Sequence, residues 1–215
     1  AIGMEVFHNF TLMHDDIMDH ADVRRNQPTV HKKWDENTAI LSGDAMMIKS
    51  YEFFFDLPAE ILKKVIRPFN KMAVEVYEGQ QYDMNFEKRE DVSEAEYTEM
   101  IKLKTSVLIA ACLKAGAITG GANNADADKL YEFGLNIGLA FQLQDDLLDV
   151  YADFDKFGKQ IGNDILTGKK TFLLINAFEK ADDGTKKKLK EALKDDQISD
   201  ADKIKTVTDI YNRLN

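Results

Sequence analysis

The chain has 215 residues, 44% of them hydrophobic and 31% charged, enough to bury a substantial core in one domain of ordinary soluble composition. Its formal net charge of -10 argues against a nucleic-acid groove, which needs a concentrated basic stripe, though not against anionic ligands met by locally placed Lys and Arg. A single cysteine, Cys112, excludes an intrachain disulfide and fits a reducing, cytoplasmic compartment; within LIAACLKAGAI it reads as a small buried apolar residue.

The first segment, AIGMEVFHNFTLMHDDIMD, has the pattern of a helix with aspartates at its polar end. It carries Glu5 and no basic leader, so it is unlike a signal peptide, and no apolar run in the chain approaches a bilayer span. The sequence opens without Met and inside a helical pattern. It is therefore expected to be a piece of a longer protein: one helical domain over 1–215 that lacks earlier helices and the C-terminal end. A loop through ADVRRNQPT follows, then a second helix, ENTAILSGDAMMIKSYEFFF, and a third, PFNKMAVEVYEGQQYDMNF, opened by Pro68. SEAEYTEMIKLKTSVLIAACLKAGAIT starts with a capping box, Ser93 and Glu96, and stops at Gly120 and Gly121. A further helix runs from about Ala125 through LAFQLQDDLLDVYAD, and the loop FGKQIGNDILTGKK leads into TFLLINAFEKA. The last segment is charged and amphipathic, with Asp195 and Asp196 read as solvated. No strand alternation stands out, so the fold class is all-α.

Asp15, Asp16 and Asp19 crowd into about one helical turn, where like charges at i,i+4 cost roughly 0.2–0.5 kcal/mol per pair. Asp145, Asp146 and Asp149 repeat the arrangement, again after an apolar helical run. Asp15 and Asp19 share a helix face, as do Asp145 and Asp149. If the two helices are neighbours, both faces can hold metal in one cavity. Carboxylates without Cys favour a hard cation, and Mg²⁺ fits best because it uses one or two carboxylates together with waters and phosphates. His8, His14, His20 and His31 lack the i,i+4 spacing of helical zinc ligands.

DDIMD with the following Arg pair, together with LAFQLQDDLLD, resembles the trans-prenyltransferases, the isoprenyl diphosphate synthases with two aspartate-rich motifs. The resemblance covers almost the whole chain and implies an isoprenoid synthase-like helical bundle around a deep central cavity. It implies three Mg²⁺ ions gripping the diphosphate of an allylic substrate, with Asp15, Asp19 and Asp145 as principal ligands. Asp16, Asp146 and Asp149 are implied in support. Arg24 matches the arginine for the allylic diphosphate and Arg25 one for isopentenyl diphosphate. Lys104 and Thr105 match a Lys-Thr pair, while Lys159 and Lys169 match two lysines that fold over the diphosphate. For Lys32, Lys33 and Lys170 plain solvent exposure is expected. Gly79, Gln80 and Asp83 match a GQxxD pattern, which puts Asp83 near the metals and Gln80 near the reacting carbon; on composition alone Gln80 reads as a helix–helix hydrogen bond. Phe141 and Gln142 occupy the FQ position, where an aromatic face and an amide oxygen stabilise a cation; Phe141 reads equally well as core.

The implied reaction is Mg²⁺-dependent head-to-tail elongation of an allylic diphosphate by isopentenyl diphosphate, with the proton lost to the departing diphosphate and water excluded. In this family the position five before the first aspartate is a cavity floor; here it is Phe10, followed by Thr11, which suggests farnesyl or geranylgeranyl diphosphate. By helix geometry Thr11 and His8 lie nearest beneath Asp15, and Phe10 sits about 140° around. The family's upstream Gly-Lys-Arg segment and histidine are not in the given chain, so of the isopentenyl diphosphate site only Arg25 is expected here. The family is usually homodimeric. A terpene cyclase would replace the second cluster by an Asn/Asp-Ser/Thr-Glu arrangement, and a non-catalytic subunit would lose aspartates from one cluster.

Overall fold

The structure, a computed structural model, describes residues 1–152, 162–195 and 197–214. Apolar side chains spaced three and four apart make almost every described segment helical, as expected. The chain divides into two compact units, Ala1–Lys71 with Ala111–Tyr131, and Met72–Ala110 with Glu132–Asn215.

In the first unit, α1 (Ile2–Met18) lies against α3 (Glu36–Glu52). Glycine permits the contact: a Cβ on Gly43 would fall 2.3 Å from Nε2 of His14. Around it Phe7, Phe54 and Tyr51 meet the ring of Phe69 at 5.2, 4.9 and 5.1 Å between centroids. Asp35 caps α3 through the amide of Thr38.

The segment ADVRRNQPT is not a plain loop. Val23–Arg24 (β1) pairs antiparallel with Gln27–Pro28 (β2), and Arg25 and Asn26 form the two-residue turn with φ of 51° and 61°. Two left-handed residues are what a two-residue hairpin requires, so four residues suffice for a ladder too short to show alternation. The short helix α2 (Val30–Lys33) follows.

Helix α4 (Ala59–Glu87) corrects the reading at Pro68: the helix begins nine residues earlier and passes through the proline. Pro68 removes one backbone bond, and burial of its neighbours Val65 and Phe69 offsets the loss. Cys112 is likewise corrected. It lies on α6 (Val107–Thr119) but is exposed, because Val107, Ala110, Ala111, Ala115 and Ile118, not the cysteine, are the residues this helix buries. The predicted stop of α6 holds: Ala122 N–H bonds to Ala117 O and Gly121 N–H to Ile118 O, with Gly121 at φ 86°.

In the second unit, the expected capping box opens α5 (Glu94–Ile101), which continues through a π-helical turn, Lys102–Ser106, into the start of α6. The later part of α7 (Asn124–Tyr151) leads to α8 (Asn163–Thr167), α9 (Phe172–Lys180), α10 (Asp183–Lys194) and α11 (Asp200–Leu214). One core gathers Leu174, Leu189, Val207 and Tyr211, and another gathers Phe86, Tyr97, Met100 and Ile175. Asp196 lies outside the described residues.

Candidate active site

Both aspartate clusters sit where a helix runs out. Asp15 and Asp16 occupy the last turn of α1, and Asp19 is its C-cap. Asp149 is in the last turn of α7, with Asp145 and Asp146 one turn earlier. A helix C-terminus carries partial negative charge, so each nearby carboxylate costs about 0.3–1 kcal/mol unless a cation is supplied. Helix α1 closes with Ala21 N–H on Asp16 O, His20 N–H on Ile17 O, and His20 at φ 52°.

In the first unit the cation is Arg24. The hairpin, tied by the Thr29 hydroxyl donating to Ala21 O at 2.7 Å, brings the Arg24 Nε to Asp16 Oδ1 at 2.7 Å. Its Nη2 lies 3.5 Å from Asp15 Oδ2. Asp16 is 5% exposed, and burial raises its pKa against the opposing pull of Arg24. Asp19 is exposed, and Arg25 is exposed at the tip of the turn. Phe10 is buried edge-to-face against Phe7 and His14, while Thr11 donates to His8 O at 2.8 Å.

In the second unit Asp83 and Lys104 pair at 2.7 Å, both largely buried. Gly79, one turn before Asp83, makes this possible, because a Cβ there would lie 2.3 Å from Lys104 N. The Thr105 hydroxyl donates to Gln142 Oε1 at 3.0 Å, and Gln142 Nε2 donates to Asp146 Oδ1 at 3.2 Å. Asp146 Oδ2 accepts from the Tyr97 hydroxyl and from Phe172 N–H, the latter at 2.9 Å. Asp149 Oδ2 accepts Asp164 N–H at 3.1 Å. The aspartates thus satisfy first-turn N–H groups of α9 and α8 that have no partner within their helices.

Burial raises the pKa of Asp146 against these donors and the charge of Lys169. It pushes Asp164 up to about 6, with Lys169 opposing and Asp149, Asp146 and Asp145 adding to the rise. Burial and the Asp146 charge drive Tyr97 far above the usual phenol range. Asp145 is exposed, Lys169 half-buried and Phe141 54% exposed, so Phe141 is not a core residue. Gln80 Nε2 is buried with no acceptor, which does not support reading this amide as a helix–helix hydrogen bond. Lys32 bonds to Asp22 at 2.9 Å. Lys170 is half-buried with its pKa lowered by burial, a correction to its expected exposure. Lys159 lies outside the described residues.

A common pattern emerges. In each cluster the second aspartate, Asp16 or Asp146, is the buried one, while its companions are half-buried or exposed. Sequence reasoning missed Tyr97, Asp164 and the Phe172 amide. Tyr97 stands 49 residues from its partner and reads as core, and Asp164 is a lone aspartate in a loop. An all-oxygen donor set at negative helix ends fits a hard divalent cation. Among the described residues, no three ligating side chains are already gathered as a cage. Magnesium needs fewer, since it retains water and phosphate ligands.

The polyprenyl synthetase family profile matches residues 1–211. A geranylgeranyl diphosphate synthase of Methanosarcina mazei is 47% identical over 182 residues, 84% of this chain and 56% of that protein. A geranylfarnesyl diphosphate synthase of Natronomonas pharaonis is 42% identical over 204 residues, 94% of this chain and 58% of that protein. A crystal structure of a geranylgeranyl pyrophosphate synthase superposes with a TM-score of 0.94 at 46% identity, covering 99% of this chain and 66% of that one. The chain belongs to the polyprenyl synthetase family, the trans-isoprenyl diphosphate synthases, and has their all-α fold. It spans little more than half the length of these two curated relatives. No helix among the described residues is long and apolar enough to cross a membrane.

Proposed function

We propose that the protein condenses isopentenyl diphosphate head-to-tail with an allylic diphosphate and releases diphosphate, making a short-chain prenyl diphosphate of farnesyl or geranylgeranyl length. Family membership together with retention of both complete aspartate clusters carries this reading. Asp15, Asp19 and Asp145 would hold Mg²⁺, three ions in all, with Asp16, Asp83, Asp146 and Asp149 in support. When bound, magnesium neutralises the charge that builds on the leaving diphosphate.

The chain's own groups do the rest. Arg24, Lys159 and Lys169 bind the allylic diphosphate, and Arg25 binds that of isopentenyl diphosphate; planar guanidinium forks suit phosphate oxygens. Thr105, Gln142 and Gln80 stand along the reacting carbons, where oxygen lone pairs stabilise positive charge without capturing it, and Lys104 keeps its place beside them through Asp83. Phe141 offers a ring face to the same charge. Phe10 and Thr11 bound the space for the growing chain. The proton leaves to the released diphosphate, so no protein base is required. The working protein is a cytoplasmic homodimer of one helical domain per subunit.

Incubating the intact protein with Mg²⁺, labelled isopentenyl diphosphate and dimethylallyl, geranyl or farnesyl diphosphate tests this. One discrete longer prenyl diphosphate supports elongation and reads out its length. Cyclic or hydroxylated hydrocarbon with released diphosphate would replace it by cyclisation, and no turnover by folded protein would replace it by a regulatory subunit.

A further inference from the structure

Resting on that reading, we propose that Tyr97, which lies outside both aspartate clusters, is a positioning residue that holds the carboxylate heading a hydrogen-bond chain that ends at Thr105. A carboxylate can only accept hydrogen bonds. Asp146 is 4% exposed and takes the Tyr97 hydroxyl and the Phe172 amide on one oxygen and Gln142 on the other. Rotating its carboxylate would break the first two bonds together. As a carboxylate, Asp146 admits one orientation of the Gln142 amide, because the opposite one would set Oε1 against a carboxylate oxygen; the bonds to Tyr97 and Phe172 fix where that amide must sit.

The consequence passes to Thr105. Gln142 Oε1 must face the Thr105 hydroxyl and accept from it at 3.0 Å. With its only hydrogen committed there, Thr105 Oγ1 presents lone pairs elsewhere and cannot donate. An oxygen in that state suits a carbon that becomes positive and offers no proton to a diphosphate. Tyr97 itself is 2% exposed and fixed among Phe86, Met100, Ile101 and Ile175, so its hydroxyl has a single place to reach. A phenylalanine would fill the same space and leave Oδ2 of Asp146 held by the Phe172 amide alone.

Two substitutions separate this role from plain packing. Tyr97→Phe removes only the donor. Asp146→Asn keeps the shape but reverses the chain: its amide oxygen takes the Tyr97 and Phe172 donors, its NH₂ faces Gln142, and Gln142 must turn its own NH₂ toward Thr105. The readout besides activity is the side-chain amide resonance of Gln142 in the intact, deuterated protein, assigned by its disappearance in Gln142→Glu. Both variants are expected to shift that resonance. With the proposed substrates, Tyr97→Phe is expected to lower kcat about tenfold, as for one lost hydrogen bond to a charged group, with KM values within about twofold. A Gln142 resonance unmoved in Tyr97→Phe would overturn the proposal, as would a rise in KM at unchanged kcat. Shifted resonances in the variants of a wild type that makes no prenyl diphosphate would support the hydrogen-bond chain and overturn the functional reading alone.

Discussion

At the scale of single residues, the candidate carboxylates of each unit stand in unequal surroundings. Asp164 illustrates the cost. Its folded pKa of about 6 exceeds the ordinary 3.8, so between roughly pH 4 and 6 the folded state keeps a proton that the unfolded chain has lost. Stability therefore falls as pH rises through that window, by on the order of 2–3 kcal/mol, and stays lower above it. Asp164→Asn should flatten this fall in magnesium-free protein, as measured by urea unfolding at pH 4, 5, 6 and 7; an unchanged slope would contradict the assignment. Lys104 and Asp83 differ in kind, since each neutralises the other. Lys104→Met should destabilise by about 2–4 kcal/mol by leaving a buried carboxylate without its cation, and the same unfolding curves would detect it. The clusters were legible in the sequence because a three-aspartate spacing occurs twice. Tyr97 was not, because nothing local distinguishes a tyrosine that reaches a carboxylate 49 residues away from one that only packs.

At the scale of elements, the positioning depends on close backbone approach and on helix ends. Gly79 lets α4 touch the π-helical turn, whose extra residue re-aims Lys104 and Thr105 relative to a regular helix. Gly79→Ala should cost about 1–3 kcal/mol, as overpacking generally does, and should lower activity with it. A thermal melt and a turnover assay on the same sample would show both. Nothing in KLKTS announces a π-turn, since the same residues fit an α-helix; only the facing glycine hints at it. Pro68 misled in the opposite sense. A proline usually marks a helix start, yet here burial of Val65 and Phe69 carries α4 through it. Pro68→Ala, which restores the missing N–H, should therefore stabilise by about 1–2 kcal/mol in the same melts. Capping signals were legible because they are local, as Ser93 with Glu96 and Gly121 demonstrate.

At the scale of the whole molecule, a chain of net charge -10 sets cations against both acidic clusters: Arg24 on the first, with Lys169 acting electrostatically on Asp146 and Asp164 in the second. Two acidic helix ends without bound divalent metal are unfavourable by ordinary electrostatics, and that demand for cations underlies the proposed dependence of diphosphate binding on magnesium. The most direct test is calorimetric titration of the intact protein with a non-ionising thiolodiphosphate analogue of the allylic substrate, with and without Mg²⁺, in wild type, Asp15→Ala and Asp145→Ala. The account predicts binding that requires Mg²⁺ and is weakened at least tenfold by either substitution. Binding that ignores Mg²⁺, or that survives intact when one cluster is altered, would contradict it.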